Sequence, residues 1–479
     1  LDPSDKLVLQ VASVVGETFP SADVAALLDV REEEIQISLR RLHEKEMLYE
    51  AAMFPATEYR FGHALIRDVA YGALPIGERR KMHSELVTIL EGSDDAGLER
   101  LAYHAFRGEQ WEKAARYSTA AGEKSIRTSA YREASTFFHQ AVHALAQLPR
   151  TTEIVKSSID ARLQLRVAET GARGALFKIQ ADLDEAAHLA ESIGDDVRRG
   201  RVAIHAGYTA NMLGDALVAE RHAETAFSGG STSEDHYLIV ESRILLAQSH
   251  VYSGKLHLAI PLLEPHMDFL LNDIRYATMD QTMIRSVVAC AHYAVAEAGS
   301  GKLEEAMRWI DEGISISDEA GRPFDRMYMQ FALGKSLDLV GDPTALGAHE
   351  SAVEIADEND LWFMKTFAQP WHGHALVRAG RPEHAIKLLR ETEAEARLYE
   401  LPFVEVESRA FASVVMAALS QDPSPDAIAA IEFGNRHSVP ELVMLGSIAL
   451  GETEAATLLA DEHGFTVWAQ EMRDGLWAW

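Results

Sequence analysis

Beyond residue 95, apolar and polar positions follow the spacing of successive amphipathic helices, and strand signals nearly disappear. Glycines end several of these helices, at spacings of 40, 47, 40 and 39 residues: Gly214, Gly254, Gly301, Gly341 and Gly380. A small or apolar residue lies five positions after each of them, namely Ala219, Ala259, Ala306, Leu346 and Ala385. Glycine adopts the left-handed conformation that ends a helix, and a small side chain lets the next helix pack closely. The pattern predicts helical hairpins with a period of about 40 residues.

A second register of glycines precedes the same small positions by twelve residues. Its members are Gly122, Gly174, Gly207, Gly334 and Gly373, before Ala134, Ala186, Ala219, Leu346 and Ala385. The best copy runs over 121–141, where Gly122 faces Ala134 and a large residue, Phe138, follows four positions later. This arrangement resembles the tetratricopeptide repeat (TPR), here often stretched beyond its usual length of about 34 residues. The predicted fold class is all-α: a TPR-like α-solenoid, which is a superhelix of helical hairpins.

The first 95 residues follow a different pattern. Helices are predicted over 4–15, 21–28 and 31–46, extended pieces over 47–53 and 57–61 around a Phe54-Pro55-Ala56 turn, and helices over 63–74 and 77–90. Three helices followed by a β-hairpin is the order of a winged helix, so a small winged-helix domain is predicted to precede the solenoid.

Three domains are expected from these patterns. They are a winged-helix domain with its following helices (1–95), a TPR-like solenoid (96–420), and terminal capping helices (421–479) that open near the helix-breaking Asp422-Pro423-Ser424-Pro425. A terminal repeat must cover the open end of a solenoid core. We therefore interpret Trp468, Trp477 and Trp479 as capping residues.

Charge narrows the possible partners. The 479 residues contain 45 Lys and Arg against 74 Asp and Glu, a net charge of −29. Residues 1–95 hold 10 Lys and Arg against 18 Asp and Glu, a net charge of −8, and the predicted reading helix begins with Glu32-Glu33-Glu34. Nucleic-acid binding requires clustered cations, so the charge argues against a nucleic-acid partner.

Cysteine content and hydropathy indicate the compartment in which the protein is expected. A single cysteine, Cys290, excludes a disulfide framework and a multi-cysteine zinc site, and it suits a reducing cytosol. No apolar run approaches 18 residues, and no signal-peptide pattern is present. The expected location is cytoplasmic, without a membrane partner. Because the chain opens at Leu1 rather than Met, we interpret it as a fragment of a longer protein.

The segment from Tyr59 to Tyr71, Tyr-Arg-Phe-Gly-His-Ala-Leu-Ile-Arg-Asp-Val-Ala-Tyr, carries the most specific resemblance. It resembles the winged-helix segment that follows the nucleotide-binding core in STAND-type (AAA-like) signalling ATPases. The most similar members are bacterial proteins that join a class III adenylate/guanylate cyclase, an ATPase and a TPR tail; MalT-like regulators are near relatives. Gly62 and Ala64 replace the Met and Asp of the "MHD"-type motif, so the match rests on His63 and on the Leu-Ile-Arg-Asp that follows.

The resemblance implies a division of labour between this chain and a missing upstream domain. That domain would bind ATP or ADP with Mg²⁺, and His63 would contact the bound diphosphate and hold the closed, inactive state. The repeats would form the sensory part, which contacts its own upstream ATPase domain and binds a protein, peptide or small effector.

Catalytic motifs are missing from the chain itself. Gly299-Ser300-Gly301-Lys302-Leu303 looks like a phosphate loop, but Leu303 replaces the Ser or Thr that holds magnesium. No zinc-protease motif and no nucleophile elbow occurs. We predict a non-enzymatic regulatory region with no cofactor or metal of its own, which controls a nucleotide-binding and cyclase output domain. The alternatives are the sensor region of a MalT/LuxR-type transcription regulator and a freestanding TPR scaffold.

The ligand is expected on helices that precede the turn glycines, since the first helix of each hairpin lines the concave side of a repeat solenoid. Large polar-tipped and aromatic residues recur there, and they predict one effector-binding groove: His250, Tyr252, Arg285, His292, Tyr293, Arg326, Tyr328, Gln330, Trp362, Lys365, Trp371 and His372. Their recurrence in successive repeats is the basis of this prediction.

Overall fold

The computed structural model describes residues 1–52, 57–93, 96–128, 130–172 and 176–475. The predicted Phe54-Pro55-Ala56 turn, Gly174, Trp477 and Trp479 lie outside the described residues. The chain forms two compact units, Leu1–Ala161 and Arg162–Trp479.

The first unit begins with the predicted helices and hairpin. Its elements are α1 (Pro3–Val15), β1 (Thr18–Pro20), α2 (Ser21–Leu27), α3 (Glu32–Glu44), β2 (Leu48–Ala52), β3 (Glu58–Phe61), α4 (Ala64–Gly72), α5 (Ile76–Glu91), α6 (Leu98–Arg107), α7 (Trp111–Arg127) and α8 (Tyr131–Ala146). The strands form an antiparallel sheet in the order β1-β3-β2. The sequence analysis missed β1, because three residues are too few to show an alternating pattern.

One hydrophobic core holds the first unit together. It contains Phe19 of β1, Leu39 of α3 and Leu86 of α5, and it continues through Ala114 of α7 and Ala144 of α8. The predicted domain boundary at residues 95 and 96 therefore falls inside this unit, because α6–α8 complete the core that α1–α5 begin.

The second unit is a succession of helical hairpins. After α9 (Thr152–Gly171), which spans the boundary between the units, its helices are α10 (Leu176–Ile193), α11 (Asp196–Leu213), α12 (Ala216–Ser233), α13 (His236–Tyr252), α14 (Ile260–Leu263), α15 (Arg285–Gly299), α16 (Leu303–Glu319), α17 (Pro323–Leu339), α18 (Ala345–Glu358), α19 (Trp362–Arg378), α20 (Pro382–Leu398), α21 (Pro402–Ala418), α22 (Ser424–His437), α23 (Pro440–Ala449), α24 (Thr453–His463) and α25 (Thr466–Arg473). The predicted all-α, TPR-like solenoid class is confirmed. None of the helices in the described part of the chain is both long and apolar enough to cross a membrane.

The glycine register has the predicted geometry. The five turn glycines have φ between +72° and +82°. Within helices, a Cβ on Gly122 would lie 2.8 Å from the Phe138 ring, and one on Gly373 would lie 2.7 Å from Leu389. These glycines therefore allow the two helices of a hairpin to approach each other closely.

One repeat departs from the regular pattern. The segment after Gly254 contains Pro261 and Pro265, which cannot donate helical hydrogen bonds, and only short turns form there: Leu256–Leu258, α14, Glu264–His266 and Phe269–Asp273. An irregular stretch over 274–284 follows before α15. This departure accounts for the 47-residue spacing between Gly254 and Gly301.

The C-terminal helices pack back onto the ends of earlier hairpins. Phe465 lies against Gly254, and Trp468 Nε1 donates to the carbonyl oxygen of Asp338 over 3.4 Å. Trp468 itself is fully buried. Long-range contacts of this kind fill part of the interior that an open solenoid would expose.

Candidate ligand-binding site on the inner helices

The first helices of the hairpins, α11, α13, α15, α17, α19 and α21, are called the inner helices below. They are buried over most of their surface; every residue of α15 is buried. The structure therefore differs from the expected open groove. Of the twelve predicted residues, Arg285, His292, Tyr293, Tyr328 and Trp371 are buried, six are half-buried, and Arg326 is exposed.

Four predicted residues come together around an internal aromatic cavity of about 30 Å³. Tyr252, His292, Tyr328 and Trp371 line it with Phe403 from α21. The Tyr328 hydroxyl lies 3.3 Å from His292 Nε2, and the rings of Tyr252 and Phe403 stack 6.4 Å apart. The recurrence of aromatic residues in successive repeats thus identified neighbours in space, but neighbours in a closed interior.

A buried charge cluster adjoins the aromatic cavity. Trp371 Nε1 donates to Glu407 over 3.1 Å, and Lys335 Nζ lies 4.1 Å from the centre of the Trp371 ring. The same ammonium lies 3.6 Å from Glu441. Burial, together with the neighbouring Glu441 carboxyl, raises the pKa of Glu407 to about 8. One lysine therefore lies between two buried carboxyls, of which Glu407 holds its proton near neutral pH.

This cluster predicts a pH dependence of stability. Unfolded glutamate ionises near pH 4.5, whereas folded Glu407 stays protonated to about pH 8. Folding then binds a proton at this carboxyl, so Glu407 should contribute a fall in the free energy of unfolding of about 1 kcal/mol per pH unit as pH rises from about 6.5 to 8. Buried neutral histidines such as His292, whose pKa burial lowers to about 3, contribute in the opposite direction up to about pH 7.5, because unfolded histidine ionises near pH 6.5. The contribution of Glu407 is therefore the difference in slope between the wild type and a variant that lacks its carboxyl.

Urea titrations at several pH values measure this slope. Glu407→Gln should make the slope more positive by about 1 kcal/mol per pH unit in that window, whereas Glu391→Gln, at an exposed carboxylate, should leave it as in the wild type. An equal slope in the wild type and in Glu407→Gln would show that Glu407 is ionised in the folded protein.

A second buried network surrounds Arg285. Its guanidinium contacts both carboxylate oxygens of Glu241 at 2.9 Å, and Tyr208 donates to Glu241 over 2.8 Å. Arg285 also donates to the Tyr208 hydroxyl. Arg285 and Glu241 are 2% and 3% exposed. Sequence reasoning selected Arg285 and missed its partners, since nothing local links residues on α11, α13 and α15.

An open pocket of about 370 Å³ leads from the surface toward this network. It lies between α11, α13 and the irregular stretch before α15, and its lining residues are Arg201, Ile204, His205, Asp235, Tyr237, Leu238, Glu241, Ala277, Met279, Asp280 and Gln281. None of these residues was predicted as a site. The available signal was the series of charged and polar residues within otherwise apolar stretches of α11 and α13.

The other predicted groove residues take part in local contacts. Arg326 is exposed and forms an ion pair with Asp318 at 2.7 Å, and Lys365 pairs with Asp357 at 2.6 Å. Trp362 donates to Glu395. The remaining members are Tyr293, whose ring lies 4.5 Å from that of Trp309 at a tilt of 34°; His250, 3.5 Å from Glu220; His372, stacked on His349; and Gln330, which is half-buried.

His63 lies apart from these clusters, in the first unit. It is exposed and occupies the position before α4. Leu65 and Val69 on α4 are 72% and 64% exposed, and Ile76 at the start of α5 is also exposed. Exposed apolar groups that cluster in this way mark interaction surfaces.

Across the described ranges, His, Cys, Asp and Glu side chains form no group of three or more that could hold a metal ion. Cys290 is buried, and burial raises the pKa of its thiol to about 12.

No family model matches the chain, and no curated protein sequence matches it at a significant level. Solved structures are similar to it. A Rap protein complexed with competence and sporulation factor aligns with 76% of this chain and 98% of its own chain, at 12% identity and a TM-score of 0.55. At this identity the similarity shows the fold alone, a TPR-like helical repeat.

Two further structures align less closely. A signal transduction ATPase with numerous domains from Pyrococcus horikoshii, with a tetratricopeptide repeat sensor, covers 94% of this chain at 15% identity and a TM-score of 0.47. This chain spans 65% of the length of that protein. The Rap conjugation gene regulator of plasmid pLS20, in complex with the Phr* peptide, covers 67% of this chain and 92% of its own at 11% identity and a TM-score of 0.48.

Proposed function

We propose that this chain is the non-catalytic sensory region of a multidomain signalling ATPase. Its second unit binds a peptide effector on the inner helices, and its first unit contacts an upstream nucleotide-binding domain. The observation that supports effector binding most directly is the open pocket, which connects solvent to a buried polar network in an otherwise closed interior. The Rap protein with the same fold is described in complex with competence and sporulation factor, and the Rap regulator of plasmid pLS20 is described in complex with a peptide; we extend a peptide ligand to this chain.

Features of the first unit support the proposed contact with an upstream nucleotide-binding domain. Its helix order and three-stranded sheet are compatible with a winged helix. The exposed His63 begins a helix whose apolar residues Leu65 and Val69 face solvent. In the proposed parent protein this surface contacts the domain that binds ATP or ADP with Mg²⁺, and a nucleotide cyclase is the proposed output. The proposal places the protein in the cytoplasm, where the buried thiol of Cys290 stays reduced.

Effector binding can be tested without knowing the natural effector. A degenerate pool of peptides of two to eight residues, one half with free ends and the other half acetylated and amidated, is added to the intact chain, and bound peptides are identified by native mass spectrometry. Hydrogen exchange then maps the contact. We expect slower exchange in α11, α13 and α15, and a stabilisation of about 3 kcal/mol when a selected peptide is present at about 100 times its Kd.

The result that would contradict the proposal is equally specific. Binding that leaves exchange in the inner helices unchanged, or the absence of any selected peptide, would remove the sensory role of the second unit. A scrambled version of a selected peptide is the matched control, because it keeps composition and charge while changing the sequence.

A further inference from the structure

Beneath the open pocket, three buried side chains form a chain of hydrogen bonds whose direction is determined by their chemistry. Arg166 Nη1 donates to Gln281 Oε1 over 2.9 Å, and Gln281 Nε2 lies 3.1 Å from His205 Nε2. Arginine is only a donor, so the amide oxygen of Gln281 must face it. The amide nitrogen therefore donates to His205, whose Nε2 acts as the acceptor.

This direction determines which nitrogen of His205 carries the proton. Burial and the nearby guanidinium groups lower the pKa of His205 well below its usual value, so the ring is neutral. With Nε2 accepting, the proton lies on Nδ1. His205 lines the open pocket, is 1% exposed, and its Nδ1 has no hydrogen-bond partner among the described residues. An unmet buried donor is costly, and a ligand acceptor would satisfy it.

Positive charge is in excess around this donor. Arg285 pairs with Glu241, whereas Arg166 is completely buried and forms no ion pair with a carboxylate in the described part of the chain. Two buried guanidinium groups thus share one carboxylate. Neither guanidinium lines the pocket; Arg166 lies behind its floor and is joined to His205 through Gln281. Because an uncompensated buried charge is expensive, Arg166 favours an anionic acceptor at His205.

The rim of the pocket carries a net negative charge. Arg201 and Asp280 neutralise each other in an ion pair at 2.7 Å. Asp235 is a second carboxylate at the rim, outside this ion pair. It caps α13, because its Oδ1 accepts a hydrogen bond from the Leu238 backbone N–H over 3.0 Å. A carboxylate at the rim, and a donor at the floor with Arg166 behind it, together favour a ligand with a cationic end and an anionic end.

Helix geometry sets the length of that ligand. Asp235, directly before α13, and Glu241, which lines the pocket together with His205, are six positions apart, which corresponds to about 9 Å along the helix axis. An extended peptide covers about 3.3–3.6 Å per residue, so two or three residues span this distance. Ile204, Leu238 and Met279 supply apolar wall between the two ends.

We propose that the open pocket binds a di- or tripeptide with free termini. Its carboxylate accepts a hydrogen bond from His205 Nδ1, and its ammonium group lies against Asp235. This inference rests on the proposed sensory function and assigns the location and the ligand class of that site.

Titration calorimetry with three degenerate tripeptide pools tests the proposal: free at both ends, acetylated at the N-terminus, and amidated at the C-terminus. A charge-assisted hydrogen bond contributes about 1.5–3 kcal/mol, so each blocked end should weaken binding about tenfold or more. Equal binding of the amidated and free pools would overturn the carboxylate assignment.

Variants locate the binding. Asp235→Asn keeps a residue that caps helices well, and it should weaken binding of the free pool about tenfold while leaving the acetylated pool unaffected. Ala277→Trp should block the pocket, whereas Ala394→Trp, at an exposed helix position, should not. Unchanged binding in Ala277→Trp would overturn the location.

The peptide experiments distinguish failure of this inference from failure of the proposed sensory function. If end-blocked octapeptides bind and protect the inner helices but no tripeptide binds, this inference is wrong and the proposed function stands. If neither pool binds, the sensory function fails as well.

Discussion

Replacing Arg285 with Ala is expected to lower the free energy of unfolding by about 3–5 kcal/mol. The substitution removes a guanidinium that contacts both oxygens of Glu241 and also donates to Tyr208. It leaves the Glu241 carboxylate buried at 3% exposure without its cation. The loss should appear as a lower urea midpoint with an unchanged slope.

Arg326→Ala is the matched control. It removes the same type of side chain from an inner helix, but Arg326 is exposed and its ion pair with Asp318 lies at the surface, so a change within about 0.5 kcal/mol is expected. Similar midpoints for Arg285→Ala and the wild type would mean that Arg285 lies in an open groove, as the sequence analysis expected, and not in the interior.

Trp468→Ala is expected to cost about 3–5 kcal/mol. The side chain is fully buried; it packs on Trp371 and Phe465 at ring distances of 6.0 and 5.3 Å. Its indole also donates to the Asp338 carbonyl. Because these contacts hold α25 against earlier hairpins, the variant should also become more sensitive to proteolysis in α24 and α25.

Leu458→Ala controls for a general weakening of the C-terminal helices. Leu458 lies on α24 and is 64% exposed, so its truncation should change stability by less than about 0.5 kcal/mol. If Trp468→Ala is cut no faster than Leu458→Ala, Trp468 does not anchor the last helix.

The regular hairpins could be read from the sequence because their signals are local. A glycine such as Gly341 ends a helix through its own left-handed backbone. Gly122 and Phe138 are close in the chain and meet within one hairpin. Short-range signals also predicted α1–α5 and the β2–β3 hairpin. They failed at β1, which forms through pairing with the distant strand β3, and at the irregular segment after Gly254, where two prolines interrupt the helical pattern.

The sequence by itself thus determined the hairpin architecture and the placement of aromatic and polar residues on the inner helices. Only the tertiary structure decided which of them are buried, since burial depends on contacts such as that between Asp338 and Trp468, 130 residues apart. The open pocket depends on the same kind of contact: Arg166 and Gln281, 115 residues apart, meet beneath it. Periodicity records which face of a helix a residue occupies, and it carries no information about the distant helix that covers that face.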